Sequence, residues 1–471
     1  MLHMGTMADQ AENSSRRDII KGLVGTGALA STVRAQTPAT ARPNILYIHS
    51  HDTGRYIQPY GYDVPTPNLQ KLANEGLLFR QAFDAAPTCS PSRAALLTGQ
   101  SPHNNGMLGL AHRGFSLKDY NQHILHWLRP HGYRSTLAGV QHIAKDPKVI
   151  GYDEILETEG NHVAQVAPAA VRFLKQRPKE PFFLAVGFHE THREYRQPGP
   201  QEDQRFTEPP ATVPDTPATR KDMAAFHATA RTLDDGVGAV LTALEEAGLA
   251  ENTLVISTTD HGIAFPGMKC NLTVHGTSVY LIMRGPGGFK GGKVCEAMIT
   301  QLDIYPTICD LLNIEKPDWL QGKSMMPLMR GETDKLHEEI FAEVNYHAAY
   351  EPKRAVRTQR YNYIRHYGDR RTPVLPNCDD SPTKDVWLKH GWRDQVVPRE
   401  LLFDTVFDPN EVHNLVGDPA YRSVLHDMRE RLDAWMRKTS DPLLHGPVKA
   451  PAGALVNDPN GTSPREKVLP A

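Results

Sequence analysis

The residues with the clearest capacity for chemistry form one run, Cys89-Ser90-Pro91-Ser92-Arg93, continuing through Ala94-Ala95-Leu96-Leu97-Thr98-Gly99. The run reads as a helix that begins at a nucleophile. Pro91 suits the first helical position, where its missing N–H costs nothing, and Ser90 can cap the helix. Ala94, Ala95, Leu96 and Leu97 are good helix formers, and Gly99 can close the turn. Cys89 is therefore expected where unpaired backbone N–H groups and the helix dipole favour negative charge. Arg93, one turn on, adds a guanidinium whose fork geometry suits an oxyanion. Alone, a C-x-P-x-R string is weak, because an inert buried cysteine beside a capped helix has the same spelling.

The flanks make the string specific. Cys89-x-Pro91-Ser92-Arg93 followed by Leu97-Thr98-Gly99 resembles the sulfatase signature, whose cysteine is oxidised after translation to formylglycine. The resemblance implies that Cys89 acts as an aldehyde hydrate, in which one hydroxyl attacks sulfur and the second collapses to aldehyde and expels sulfate. Other stretches fit in the same order: Gly106-Met107-Leu108-Gly109-Leu110, Pro181-Phe182-Phe183-Leu184 leading to His189 and His192-Arg193, Leu233-Asp234-Asp235-Gly236, Asn271-Leu272, and Asp408-Pro409 before Asn414-Leu415. Together they cover nearly the whole mature chain and are most similar to the sulfamidase (N-sulfoglucosamine sulfohydrolase) branch.

That resemblance implies one divalent cation between an Asp-Asp pair after the first strand and an Asp-Asn pair after a later one. Here the pairs are His51-Asp52 and Asp260-His261, so the implied ligands are His51, Asp52, Cys89, Asp260 and His261. Calcium, the ion the resemblance implies, prefers oxygen donors, whereas imidazoles suit manganese, iron or zinc. A third departure is Gly139-Val140-Gln141-His142, where the family has a G-K-x-H stretch whose lysine contacts formylglycine and sulfate. Exchanging a carboxylate for neutral imidazole removes one negative charge, and losing the lysine removes one positive charge, so the site reads as compensated rather than dead. Lys145 is an alternative source of that cation. The remaining catalytic candidates are Arg93, His142, His192 as general acid for the leaving group, and Lys269 as a sulfate clamp. The His189/His192 spacing follows a strand rather than lying on a helix, which argues against a two-histidine zinc motif. His112, Arg113, Glu190 and Arg193 occupy loops where substrate selectors would sit.

Holding these groups together requires a sheet whose strand ends converge. Asn44-Ile45-Leu46-Tyr47-Ile48 is an apolar run of strand length ending in a polar cluster from His49 to Gly54, the position at which open α/β sheets bind ligands. Further strand-like runs at 134–139, 181–188, 254–259 and 280–283 alternate with helical patterns, one opened by Thr66-Pro67-Asn68 and stopping near Gly76, the others at about 220–247 and at 300–312. The alternation indicates an α/β fold with a mostly parallel sheet and helices on both faces, and the resemblance makes it alkaline-phosphatase-like. Past about residue 343 the texture changes: strands at 354–364 and 400–407 and an amphipathic helix at 421–437 suggest a smaller C-terminal α+β unit with an antiparallel sheet. The expected division is a leader (1–35), a catalytic domain (36–342) and a C-terminal subdomain (343–471).

A net charge of -2 over 471 residues provides no basic field for nucleic acid, and no stretch of the mature chain is apolar enough to span a bilayer. Ser15-Arg16-Arg17-Asp18-Ile19-Ile20-Lys21 resembles a twin-arginine export motif, followed by an apolar run at 22–33 and a small-residue cleavage site at Val33-Arg34-Ala35. The expected partners are a sulfated sugar or glycan, a formylglycine-generating system and the twin-arginine machinery, with periplasmic or secreted residence; a homodimer is compatible. The five cysteines show no paired spacing. The leading function is hydrolysis of a sulfate ester or N-sulfate. A phosphonate or phosphate ester hydrolase using the same nucleophile, and a non-catalytic glycan binder, are the alternatives. Replacing Arg16-Arg17 by Lys-Lys is expected to strand the protein in the cytoplasm, read by fractionation; an unchanged periplasmic yield would contradict the export reading.

Overall fold

A computed structural model describes residues 42–179 and 181–471; the expected leader and its arginine pair lie outside the described residues. Asn44–Ser50 (β1), Leu77–Phe83 (β2), Arg134–Gly139 (β3), Glu154–Leu156 (β4), Phe182–Gly187 (β5), Thr253–Thr259 (β6), Leu281–Arg284 (β7) and Lys293–Thr300 (β8) form one sheet in the order β4-β3-β5-β1-β6-β7-β2-β8. Only β7 runs against its neighbours; the other pairs are parallel. β1 is buried along its whole length, which is why it reads as a continuous apolar run rather than an alternation. Ile45 and Tyr47 face one core with Leu96, Leu97, Ile304 and Ile308. Leu46 and Ile48 face the other with Leu72, Phe173, Val237 and Leu244. The sheet is therefore covered on both sides, as the alternation of elements requires.

Local chemistry explains where helices begin. The long helix spans Pro217–Glu246 because Thr216 and Thr219 cap it reciprocally and Pro217 fills its first position. Pro67–Glu75 (α1) likewise starts on a proline and stops before Gly76. The region 300–312, expected as one helix, is a tight turn at Gln301–Asp303 followed by a helix at Ile304–Leu312. Thr300 and Asp303 cap the turn, and Pro306 lies within the first helical turn, where it breaks no hydrogen bond.

A second sheet is antiparallel, in the order β12-β11-β10-β9, from Glu339–Tyr346 (β9), Tyr350–Thr358 (β10), Tyr361–His366 (β11) and Glu400–Asp404 (β12). The single strand expected over 354–364 is thus a hairpin. Its alternating pattern runs through the turn without Gly or Pro to mark it, and Thr358 Oγ1 accepts the Tyr361 N–H at 3.0 Å to close it. The helix Arg422–Lys438 lays Leu425, Met428, Leu432 and Met436 on this sheet against Val356, Tyr363 and Leu402.

One buried histidine links the fold to pH. His123 caps the helix Ile124–Leu128, its Nδ1 accepting the Leu125 N–H at 3.2 Å. Burial, and then His126, pushes its pKa from 6.5 down to about 3. The unfolded chain therefore takes the proton first, and stability present above pH 6.5 is lost as pH falls, by about 2 kcal/mol at pH 5 from this group. His123→Asn keeps an acceptor at the cap and cannot titrate. Urea unfolding is expected to show the parent losing about 2 kcal/mol more than the variant between pH 7 and pH 5; equal losses would contradict it.

Candidate active site

The parallel register aligns the C-terminal ends of the central strands: His49 of β1 pairs with Gly187 of β5, and Ser50 with Thr259 of β6. His51-Asp52, His189 to His192 and Asp260-His261 follow these ends, and Val140 to His142 follow the adjacent β3. β2 delivers the chain to Cys89–Thr98 (α2). α2 begins at Cys89 itself, with Thr88 as cap, so the expected roles of Ser90 and Pro91 are displaced. Ser90 Oγ instead accepts the Ala111 N–H at 3.0 Å and ties the next loop down. Gly99 closes α2 with φ 69°, a left-handed conformation that a side chain would strain.

Asp52 and Asp260, both wholly buried, form the centre of the site. The Asp52 N–H donates to Asp260 Oδ1 at 2.8 Å, which locks the two strand ends together. Arg93 donates to Asp260 Oδ2 from Nε at 3.2 Å and from Nη2 at 3.0 Å, and its Nη2 also reaches the Ser50 carbonyl at 3.1 Å. Burial alone would raise the Asp260 pKa, but His261 and Arg93 hold it well below the carboxylate range. Lys269 Nζ sits 2.8 Å from Asp52 Oδ2 and 3.0 Å from Asp379 Oδ2. Burial pushes the Lys269 pKa down, and Asp379 and Asp52 more than reverse this, so the group stays an ammonium.

Cys89 Sγ lies 3.4 Å from His261 Nε2 and 4.0 Å from Asp52 Oδ1. Burial raises the thiol pKa, and Asp52 and Asp260 oppose the easing effect of Lys269 and Arg93. A reactive cysteine has a lowered pKa; burial pushes this thiol the other way despite its place at a helix start.

His51, Asp52, Cys89 and Asp260 each present a ligand atom within 4.8 Å of the other three. His261 adds Nε2 at 3.4 Å from Asp52 Oδ1. Its Nδ1 is 2.9 Å from the Gly262 carbonyl, which makes that nitrogen a donor and turns Nε2 toward the cluster. His51 Nδ1 is buried without a hydrogen-bond partner, 3.4 Å from Asp260 Oδ2. Burial, Arg93 and neighbouring imidazoles keep His51 neutral. An orphaned imidazole nitrogen facing two carboxylates is a donor set that fits a divalent cation, and its mixed nitrogen and oxygen character fits a transition ion better than calcium.

The other expected residues surround this centre. The His51 ring centroid is 5.5 Å from that of His192 and 5.6 Å from those of His142 and His189. His192 turns Nδ1 to the Arg193 carbonyl at 2.5 Å and points Nε2 at Asp52 Oδ2, 4.0 Å away, on a side chain that reaches solvent. His142 stacks on His112 at the rim, with His112 Nδ1 3.0 Å from His142 Nε2. Val140 is half-buried and Lys145 is exposed.

Three expected selectors are committed elsewhere. Arg193 makes a fork to Asp222 at 2.8 Å for each nitrogen and lies against the Tyr195 and Phe265 rings. Glu190 accepts the Val163 N–H at 3.0 Å and faces His162. Arg113 holds the C-terminal segment through Asn457 and the Ala348 carbonyl. Asp379 and the buried His347 were not anticipated. They come from the polar stretch around the antiparallel sheet, which carries no motif; the only local signal is the acidic pair Asp379-Asp380.

Comparison with known proteins agrees with this geometry. The profile of the sulfatase family matches residues 43–314, and that of the N-sulphoglucosamine sulphohydrolase C-terminal region matches residues 273–385. Human N-sulphoglucosamine sulphohydrolase is 32% identical over 88% of this chain and 93% of its own length. An ulvan-active sulfatase of Formosa agariphila is 28% identical over 88% of this chain and 77% of its own length. A structure solved in complex with its substrate D-glucosamine-2-N,6-O-disulfate superposes with a TM-score of 0.67 at 19% identity, covering 85% of this chain and 98% of that one. The chain belongs to the sulfatase family of sulfuric ester hydrolases, in the branch that carries the sulfamidase-type C-terminal region.

Proposed function

We propose that this protein hydrolyses a sulfate ester or N-sulfate on a sulfated sugar, with Cys89 as the precursor of the nucleophile. The observation that carries the reading is a buried cysteine at a helix start, its Sγ 3.4 Å from His261 Nε2 and 4.0 Å from Asp52 Oδ1, with Arg93 and Lys269 buried around the same two carboxylates. Conversion of Cys89 to formylglycine would supply a hydrated aldehyde that both attacks sulfur and later expels sulfate. A divalent ion held by His51, Asp52, Asp260 and His261, together with the converted residue 89, would supply Lewis-acid polarisation of the sulfate oxygens. Arg93 is fixed by Asp260 and Ser50, so its charge is preorganised rather than recruited. Lys269 presents an ammonium beside the nucleophile. His192, with Nε2 open toward the site and an edge in solvent, is the group placed to hand a proton to the departing oxygen or nitrogen. His142, backed by His112, lines the same pocket.

The sugar substrate is supported by the relatives, one named for N-sulphoglucosamine and one solved with a glucosamine disulfate. Export by the twin-arginine route, with a leader at 1–35 preceding units at 36–342 and 343–471, completes the reading. The test pairs mass spectrometry of the peptide bearing residue 89 with turnover of N-sulfated and O-sulfated glucosamine against phosphonate esters. Matured protein is expected to carry formylglycine and to prefer the sulfated sugars, and Cys89→Ala to lose at least ~10^4-fold in kcat. Active protein with an unmodified thiol, or preference for phosphonates, would overturn the proposal. Turnover of any ester removes the binder alternative.

The departures at 51 and 140 are proposed to compensate one another. His51→Asp adds a negative charge with no cation at 140 to balance it and is expected to weaken sulfate binding, whereas His51→Asp with Val140→Lys recovers part of the loss. Coupling in kcat/KM is expected to exceed the ~0.5 kcal/mol scatter of independent sites; strict additivity would show the two positions to be unrelated.

A further inference from the structure

Lys269 is buried and its ammonium is shared between two carboxylates of different standing. Asp52 Oδ2, at 2.8 Å, belongs to a residue of the clustered donor set around His51, Cys89 and Asp260. Asp379 Oδ2, at 3.0 Å, belongs to none of the clustered groups and arrives from the C-terminal part of the chain. Its segment is fastened on both sides. Asn377 accepts the Ala349 N–H at 2.8 Å and donates to Glu351 at 2.9 Å. Lys384 Nζ holds the Cys378 carbonyl at 2.7 Å and Asp380 at 2.9 Å. Thr383 bonds Asp222 at 2.6 Å, the same carboxylate that fixes Arg193 beside His192. Asp379 is therefore a rigid counter-charge delivered to one ammonium.

A divalent ion at the donor cluster would draw on the Asp52 charge and repel Lys269. With Asp52 as its only partner, a buried ammonium would either leave the site or keep the ion out, since an unpaired buried charge is strongly unfavourable. We propose that Asp379 is a positioning residue that holds Lys269 beside Cys89 when Asp52 is given to the divalent ion, so that ion and ammonium occupy the site together. The inference rests on the metal reading above.

The test measures Mn2+ binding to the full chain by calorimetry, and inorganic sulfate binding to the Mn2+-loaded protein, neither of which needs turnover. Asp379→Asn is expected to weaken Mn2+ by at least ~5-fold, because Lys269 then competes for Asp52, and to weaken sulfate by ~10-fold. In a Lys269→Met background Asp379→Asn should change Mn2+ affinity by less than ~2-fold, and Asp379→Glu should retain most of the parent affinity for both probes. A merely structural role would give the same loss with and without Lys269, and that result would overturn the inference, as would unchanged affinities in Asp379→Asn. Should Asp379→Asn not fold, Asp379→Glu and Lys269→Met decide: Mn2+ binding weaker in Lys269→Met than in the parent would also overturn it. A parent chain that binds no Mn2+ would instead bring down the metal reading itself, and this inference with it.

Discussion

Two carboxylates, Asp52 and Asp260, are buried at the end of a parallel sheet, and most of the surrounding structure follows from that burial. Charges removed from water need partners with good geometry or they destabilise the fold by several kcal/mol. Arg93 answers Asp260 and Lys269 answers Asp52. Because Arg93 also reaches Ser50 and Ser92 Oγ donates to the Asp260 carbonyl at 2.6 Å, the same pairing docks α2 onto the ends of β1 and β6. The position of Cys89 is thus set by electrostatic closure rather than by its own helix.

The far end of that helix is held by a second buried network. The short helix Pro102–Asn105 that follows α2 carries His103, whose Nδ1 lies 2.5 Å from Glu343 on β9, and Arg354 on β10 bridges Glu343 to Asp441. His103 and these three partners are nearly solvent-free, so the antiparallel sheet is anchored beside α2 through buried hydrogen bonds as well as packing. That anchoring gives the C-terminal part of the chain a defined place from which Asp379 reaches Lys269.

Imidazole replaces carboxylate and amide chemistry around the centre. Burial pushes the pKa of His51 and His142 down, and the neighbouring Arg93 and imidazoles reinforce this. Arg93 and Lys269 supply fixed positive charge beside the two carboxylates. Both cations are held by hydrogen bonds, Arg93 by Asp260 and Ser50 and Lys269 by Asp52 and Asp379, so each is presented in one orientation.

Composition, period and local chemistry in the sequence determined the fold class, the strands read at 44–48 and 181–188, which are Asn44–Ser50 and Phe182–Gly187, the helix read at about 220–247, which is Pro217–Glu246, and the helix that follows Cys89, because each depends on neighbours within a few residues. Hydrophobic period reports which face is buried, and capping reports where a helix starts. The same local rules misread the start of α2, joined β10 and β11, and missed β8, whose first half lies mostly at the surface and shows no clean apolar alternation. Charge pairing is not local at all. Arg193 and Glu190 stand beside a catalytic candidate in sequence yet turn to Asp222 and Val163, while Asp379, 110 residues from Lys269, faces it. Which carboxylate meets which cation depends on the burial and distance that only the assembled sheets impose, and for that reason the electrostatics of the site became readable only in three dimensions.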